Sequence, residues 1–162
     1  LDALQVLQSS LDLISESDVD PSRITIELTE TAYFEQDQEH TVALEELRGQ
    51  GIKIAIDDFG TGYSSFSYLE KGHFDLIKID RKFVKNIEEG STKFNIVKMM
   101  TELAHKLNVK VVAEGVESEQ ELEVLANVGV DYMQGYLFSQ AVPLVLLDKP
   151  QCHKPLLSLI HI

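Results

Sequence analysis

Short apolar runs alternate with helix-spaced stripes along this chain. Leu1, Leu4, Leu7, Leu11 and Ile14 recur as one helical face does, and Ser17 to Ser22, with Pro21, ends that stripe. Ile24-Thr25-Ile26-Glu27-Leu28 is short and rich in β-branched residues, which predicts a strand over 24–28. Val42, Leu44 and Leu47 then lie in a helix closed by Gly49 and Gly51. A strand over 52–57 runs through Ile52-Lys53-Ile54-Ala55-Ile56 into Asp57-Asp58, and one over 76–80 runs through Leu76-Ile77-Lys78-Ile79 into Asp80. Phe94, Val97, Met100, Leu103 and Leu107 make an amphipathic helix over 92–107, with Gly90-Ser91-Thr92 as its start. Lys110-Val111-Val112-Ala113 forms a strand over 110–114 ending at Glu114. Ser118 opens the next helix with Glu121 three residues on, a capping box, and that helix carries Leu122 and Leu125 and stops near Gly129. The last strand, over 131–134, holds Tyr132-Met133 and leads into Gln134-Gly135.

Strand-helix repetition implies an α/β fold with a parallel sheet covered by helices. Either an open doubly wound sheet or part of a (β/α) barrel suits the beat. Glu27, Asp57, Asp58, Lys78, Asp80, Glu114 and Gln134 all fall at or near the C-terminal end of a strand, where parallel folds build their sites. Every strand contributes, whereas an open sheet concentrates its site at one switch point. A barrel mouth fits better.

The 162 residues hold 44% apolar and 25% charged side chains, the balance of one globular domain. With 27 acidic against 14 basic residues the net charge is −13, which argues against a duplex nucleic-acid partner. Cys152 is the lone cysteine, so an internal disulfide and a cysteine-based zinc site are both excluded, and a reducing compartment is expected. No apolar run reaches the roughly 18 residues of a membrane span. Leu1-Asp2-Ala3-Leu4 has no basic start and reads as the interior of a longer gene product. After Pro143 the pattern decays into an apolar tail, Val145 to Ile162, with two prolines, Pro150 and Pro155.

Glu27, Asp57, Asp58 and Glu114 on one rim would repel one another unless cations sat among them. Oxygen donors alone suit Mg²⁺ or Mn²⁺ rather than zinc. Adjacent aspartates at a strand end could serve two ions that activate water against a phosphodiester. The plainer role for a single strand-end aspartate is to cap the helix that follows. Lys78, in an apolar strand, either snorkels past the core or, near Asp80, orients a water or neutralises an oxyanion. Behind the paired aspartates, Phe59-Gly60-Thr61-Gly62-Tyr63-Ser64-Ser65 offers backbone donors and suits a lid or a phosphate contact, or is a plain turn. Asp58-Phe59-Gly60 has no kinase catalytic loop beside it, and no Walker A run is present. His40, His73, His105, His153 and His161 show no metal-ligand spacing, and the aromatic side chains are most simply packing.

Taken in order, these motifs resemble the EAL domain, the bacterial cyclic di-GMP phosphodiesterase family. The matching stretches are Glu27-Leu28-Thr29-Glu30, Asp57 to Ser65, Lys78-Ile79-Asp80, Ala113-Glu114-Gly115-Val116-Glu117, and Gln134-Gly135-Tyr136-Leu137-Phe138 with Pro143. The resemblance implies a partial (β/α)8 TIM-like barrel comprising the last five strand-helix units, strands 4–8, over residues 1–144. Residues 145–162 would be a tail. Glu27, Asp57, Asp58 and Glu114 would bind a pair of Mg²⁺ or Mn²⁺ ions. Lys78 would contact the attacking water, Glu114 would act as ligand or base, and Glu30 would brace the loop at 60–65. Gln134, Asp80 and Glu117 would serve the substrate. The reaction would be hydrolysis of cyclic di-GMP to linear pGpG, in a cytoplasmic domain pairing as a homodimer through the 60–65 region, with a parent protein that membrane tethering would also suit.

The family's Glu-Ala-Leu stretch, whose Glu binds metal, and an Asn ligand on the next strand are not within these residues. Impaired turnover by this chain is therefore expected. The competing reading is an inactive module that binds cyclic di-GMP or a protein.

Overall fold

A computed structural model describes residues 9, 12–14, 16–34, 38–61 and 73–140. Most of the first leucine stripe, the loop stretch 62–65, Phe66, Tyr68, Pro143 and the tail 145–162 lie outside the described residues. The chain divides into two compact units, one up to Ile77 and one from Lys78.

In the first unit a 3-10 turn, Pro21–Arg23, is capped by Asp20, whose Oδ1 accepts from the Ser22 N–H at 3.0 Å. It leads into β1 (Thr25–Thr29), followed by α1 (Glu30–Phe34), α2 (Gln38–Gly49) and β2 (Lys53–Phe59). β1 and β2 are parallel, with Glu27 opposite Ala55 and Thr29 opposite Asp57. Ile54, Ala55 and Ile56 are sealed in β2, and Ala43, Leu44 and Leu47 are buried on α2. Gly51 makes the turn from α2 into β2 at φ +96°, a conformation that costs glycine no Cβ clash. The strand runs past the expected end at residue 57, so both aspartates lie inside it, and Asp58 takes a left-handed φ of +54°. A non-glycine residue in that region is locally strained.

β3 (Leu76–Ile79), buried throughout, carries the boundary, and the second unit continues with α3 (Arg81–Val84), α4 (Thr92–Lys106), β4 (Lys110–Glu114), α5 (Glu119–Val128) and β5 (Tyr132–Gln134). The Ser91 hydroxyl caps α4 by accepting from the Phe94 N–H at 3.1 Å. Its buried stripe is Val97, Met100, Thr101 and Ala104, with i, i+3, i+4, i+7 spacing. Leu107, expected on that stripe, is 37% exposed because the helix has already ended at Lys106. Each fully buried aliphatic side chain such as Val97 or Leu125 is worth about 1.5–3 kcal/mol. The capping box at Ser118 and Glu121 forms in both directions, and Gly129 at φ +89° ends α5.

The strands form one five-stranded sheet in chain order, β1-β2-β3-β4-β5, with β1–β2 and β4–β5 parallel. Sequential order is the barrel arrangement, since doubly wound sheets reverse direction at a switch point. Among the described residues no helix is long and apolar enough to cross a membrane.

Candidate active site

Parallel strands present their C-terminal ends to one edge, so residues leaving β1 to β5 are the candidates. In the first unit Glu27 occupies the middle of β1, and its Oε1 is sealed from water. Asp57 Oδ1 accepts from the Asp58 N–H at 3.0 Å, and the Asp58 side chain is exposed. Glu30, only 3% exposed at the start of α1, accepts from the Gly60 N–H at 2.9 Å through Oε2. A buried carboxylate thus holds the first glycine of the loop behind the aspartates. Tyr33 follows on α1. Its hydroxyl accepts from the His73 N–H at 2.8 Å and its ring meets Phe74 edge-on at 5.6 Å. Burial is the main reason the phenol pKa is raised.

The second unit assembles a tighter group. Lys78 is fully buried in β3 and its Nζ lies 2.7 Å from Glu114 Oε1 at the end of β4. The ammonium therefore does not snorkel to solvent: it is held inside by a charge-assisted hydrogen bond, without which its burial would cost several kcal/mol. Glu114 registers with Gln134 of β5, so both leave one face of the sheet side by side. Gln134 Oε1 is buried and accepts no hydrogen bond among the described residues. A buried acceptor of this kind is expensive to leave without a donor.

Asp80 and Glu117, expected to serve the substrate, each have a protein partner. Asp80 caps α3, its Oδ1 accepting from the Lys82 N–H at 3.0 Å. Glu117 pairs with Arg81 at 2.6 Å, both partly exposed. The Arg81 stem lies over Gly115, which sits at φ +71°, and a Cβ there would collide with it. Gly135 likewise leaves no room for a side chain against the Val116 backbone.

Glu121 completes the capping box with Ser118 and does more. Its Oε2 accepts from the Glu117 and Ser118 N–H groups at 2.8 and 3.0 Å, and its Oε1 accepts from Asn86 at 2.8 Å. The reach to Asn86, 35 residues earlier in the chain, carries no local sequence signal. Burial alone would push its pKa up. The N–H groups of Glu117, Asn86 and Ser118, with the Ser118 side chain, outweigh that and hold it below the ordinary carboxylate value.

The carboxylates expected on metal supply oxygen alone, which fits a hard divalent cation in chemistry. Among the described residues no three His, Cys, Asp or Glu side chains already sit as a group that could hold an ion. The structure brings together Lys78 with Glu114, Glu30 with Gly60 and Arg81 with Glu117.

A parallel sheet in chain order, with acidic residues and a buried lysine near its strand ends, defines a barrel-type α/β protein. The family model for the EAL domain matches residues 2–141, and the chain belongs to that family. Among its relatives is the cyclic di-GMP phosphodiesterase NbdA of Pseudomonas aeruginosa, 40% identical over 126 residues, 78% of this chain and 16% of NbdA. The solved phosphodiesterase of MucR, in complex with cyclic di-GMP, superposes with a TM-score of 0.82 at 36% identity, covering 91% of this chain and 68% of the other. BlrP1 of Klebsiella pneumoniae, solved with manganese and cyclic di-GMP, gives a TM-score of 0.72 at 39% identity over 86% of this chain and 35% of BlrP1. The chain thus spans about a sixth of NbdA and about a third of BlrP1.

Proposed function

We propose that residues 1–144 carry hydrolytic residues of a cyclic di-GMP phosphodiesterase that opens one phosphodiester to give linear pGpG. The observation that carries this reading is the fully buried Lys78 ammonium 2.7 Å from Glu114 at the C-terminal ends of adjacent strands. A protonated lysine has donors only. It can hold a water through the oxygen lone pairs, leaving the water's own protons to a carboxylate. Glu114, hydrogen-bonded to Lys78, is placed to receive one of them. Product formation then requires the water oxygen to bond phosphorus while the bond from phosphorus to the 3′ oxygen breaks, and that leaving oxygen takes up a proton. Charge growing on the phosphoryl oxygens meets the remaining Lys78 donors. Gln134, with its unused buried acceptor, would take a donor of the substrate. Glu30 holds the Gly60 turn behind the aspartates.

Glu27, Asp57, Asp58 and Glu114 would hold the Mg²⁺ or Mn²⁺ pair, which when bound lowers the pKa of water and offsets phosphate charge. Support comes from the all-oxygen donor set and from BlrP1, whose structure holds manganese with cyclic di-GMP. The second reading is a module that binds the nucleotide without cleaving it.

Incubating the purified chain with cyclic di-GMP and Mn²⁺, with and without EDTA, decides between them. Slow, EDTA-sensitive pGpG formation supports the phosphodiesterase. Binding by calorimetry with no pGpG supports the module. Neither binding nor product overturns both.

A further inference from the structure

We propose that Glu121 is a positioning residue for the phosphodiester chemistry: its carboxylate fixes the turn after β4 and thereby sets Glu114 against Lys78. The inference rests on the reading of Glu114 as a residue of the phosphodiesterase site.

The turn from Glu114 to Ser118 is the shortest path in the chain between the reacting carboxylate and helix α5. Backbone groups would otherwise be free to swing there. Instead, the N–H groups of Glu117 and Ser118 both end on Glu121 Oε2, and Oε1 reaches across to Asn86 in the connection between α3 and α4. Asn86 itself is left-handed, at φ +55°. A non-glycine residue stays in that region only where its surroundings hold it, and the Glu121 acceptor is on its N–H. One buried anion thus clamps segments from two parts of the chain.

The clamp is coupled to the reacting groups through the backbone. The Val116 N–H donates to the Gln134 carbonyl at 3.0 Å, and the Leu137 N–H donates to the Val116 carbonyl at 3.0 Å. Gly135 packs directly on Val116, with no space for a side chain. Displacing the turn would therefore shift Gln134 as well as Glu114, the two residues that lie in register on β4 and β5. On the other side Arg81, three residues after Lys78, pairs with Glu117 at 2.6 Å and lays its stem over Gly115 of the same turn. The Ser118 hydroxyl in turn accepts from the Glu121 N–H at 3.3 Å, which closes the cap around the same turn.

Supporting partners of reacting groups usually cost about 10- to 100-fold in activity or metal affinity when removed. Glu121→Gln, nearly the same shape, replaces one acceptor oxygen by a donor that faces N–H groups. Expected are a kcat lowered by about tenfold or more, a KM changed less than about threefold, and faster amide hydrogen exchange at Val116 and Leu137 with α4 amides unchanged. Glu123→Gln, exposed on the same helix, serves as the control and keeps wild-type kcat. Should Glu121→Gln fail to fold, Glu121→Asp, which keeps the anion but shortens its reach, takes its place with the same readouts. A folded variant with wild-type kcat overturns the proposal, because a merely structural carboxylate would lower the melting temperature and leave kcat in place. If the wild-type chain itself makes no pGpG, the phosphodiesterase reading fails for this chain. Exchange at Val116 and Leu137 then decides the clamp alone: acceleration keeps it, and no change overturns it.

Discussion

Carboxylates at the starts of the strands and carboxylates at their ends are put to opposite uses. Just before β3, Asp75 Oδ2 accepts from the Ile54 N–H of β2 at 2.9 Å, with Arg48 alongside at 3.5 Å. Just before β5, Asp131 accepts from the Val111 N–H of β4 at 3.0 Å, from Lys110 at 2.6 Å and from His105 at 2.8 Å. Both aspartates tie the start of a strand to a strand of the same unit, and they spend their charge on satisfying the backbone. At the strand ends, a fully buried ammonium faces Glu114 and Asp58 holds a strained backbone. Those features cost stability and are retained where chemistry would need them. The same residue types therefore staple the sheet at one edge and equip it at the other.

The largest effect that would break this contrast is expected at Lys78. Lys78→Met fits the apolar strand but takes the ammonium away from the mostly buried Glu114 carboxylate, so thermal stability should fall as well, and turnover is compared below the melting temperature of the variant. Turnover of cyclic di-GMP should fall about 100- to 1,000-fold, read as pGpG formed per minute. At the opposite edge Asp131→Ala should cost stability alone. It strands the Val111 N–H and costs about 1–3 kcal/mol in denaturant unfolding, with turnover unchanged below the melting temperature.

Acid should act through the paired carboxylates. Burial pushes the Asp131 pKa up, but Lys110, His105 and the Val111 N–H together bring it below the ordinary value, and Glu121 is lowered too. A folded-state pKa below the unfolded one stabilises the fold above the unfolded pKa and loses that contribution as pH falls through the folded value. Above the ordinary Glu value of 4.5 both contributions are complete. Thermal melts should drop steadily as pH is lowered below that point, and Asp131→Asn or Glu121→Gln should each flatten the curve. The smallest effect is Ser118→Ala, about 1 kcal/mol from losing the α5 cap, with Glu121 still on its backbone partners.

The strands were legible because each is a short apolar run closed by a polar residue, and the end of β4 at Glu114 is where the pattern puts it. β2 ran further than its pattern because Asp57 and Asp58 break the apolar run without ending the backbone ladder. Helix α3 left no stripe to read, being four residues long and held by the Asp80 cap. The Lys78–Glu114 contact was within reach of the sequence only as a choice between two roles, since spacing gives no depth. Glu121 was hidden for a different reason: a capping box explains it fully at short range, and its bond to Asn86 depends on how distant segments pack.

Chromatography of cyclic di-GMP incubated with Mn²⁺ and either the wild-type chain or Asp57→Asn is the most direct measurement. The expected result is pGpG from the wild type and none from Asp57→Asn, with both proteins melting at the same temperature. Equal pGpG from the two would contradict a role for the β2 aspartates in the reaction and, with it, the division of labour between the two edges of the sheet.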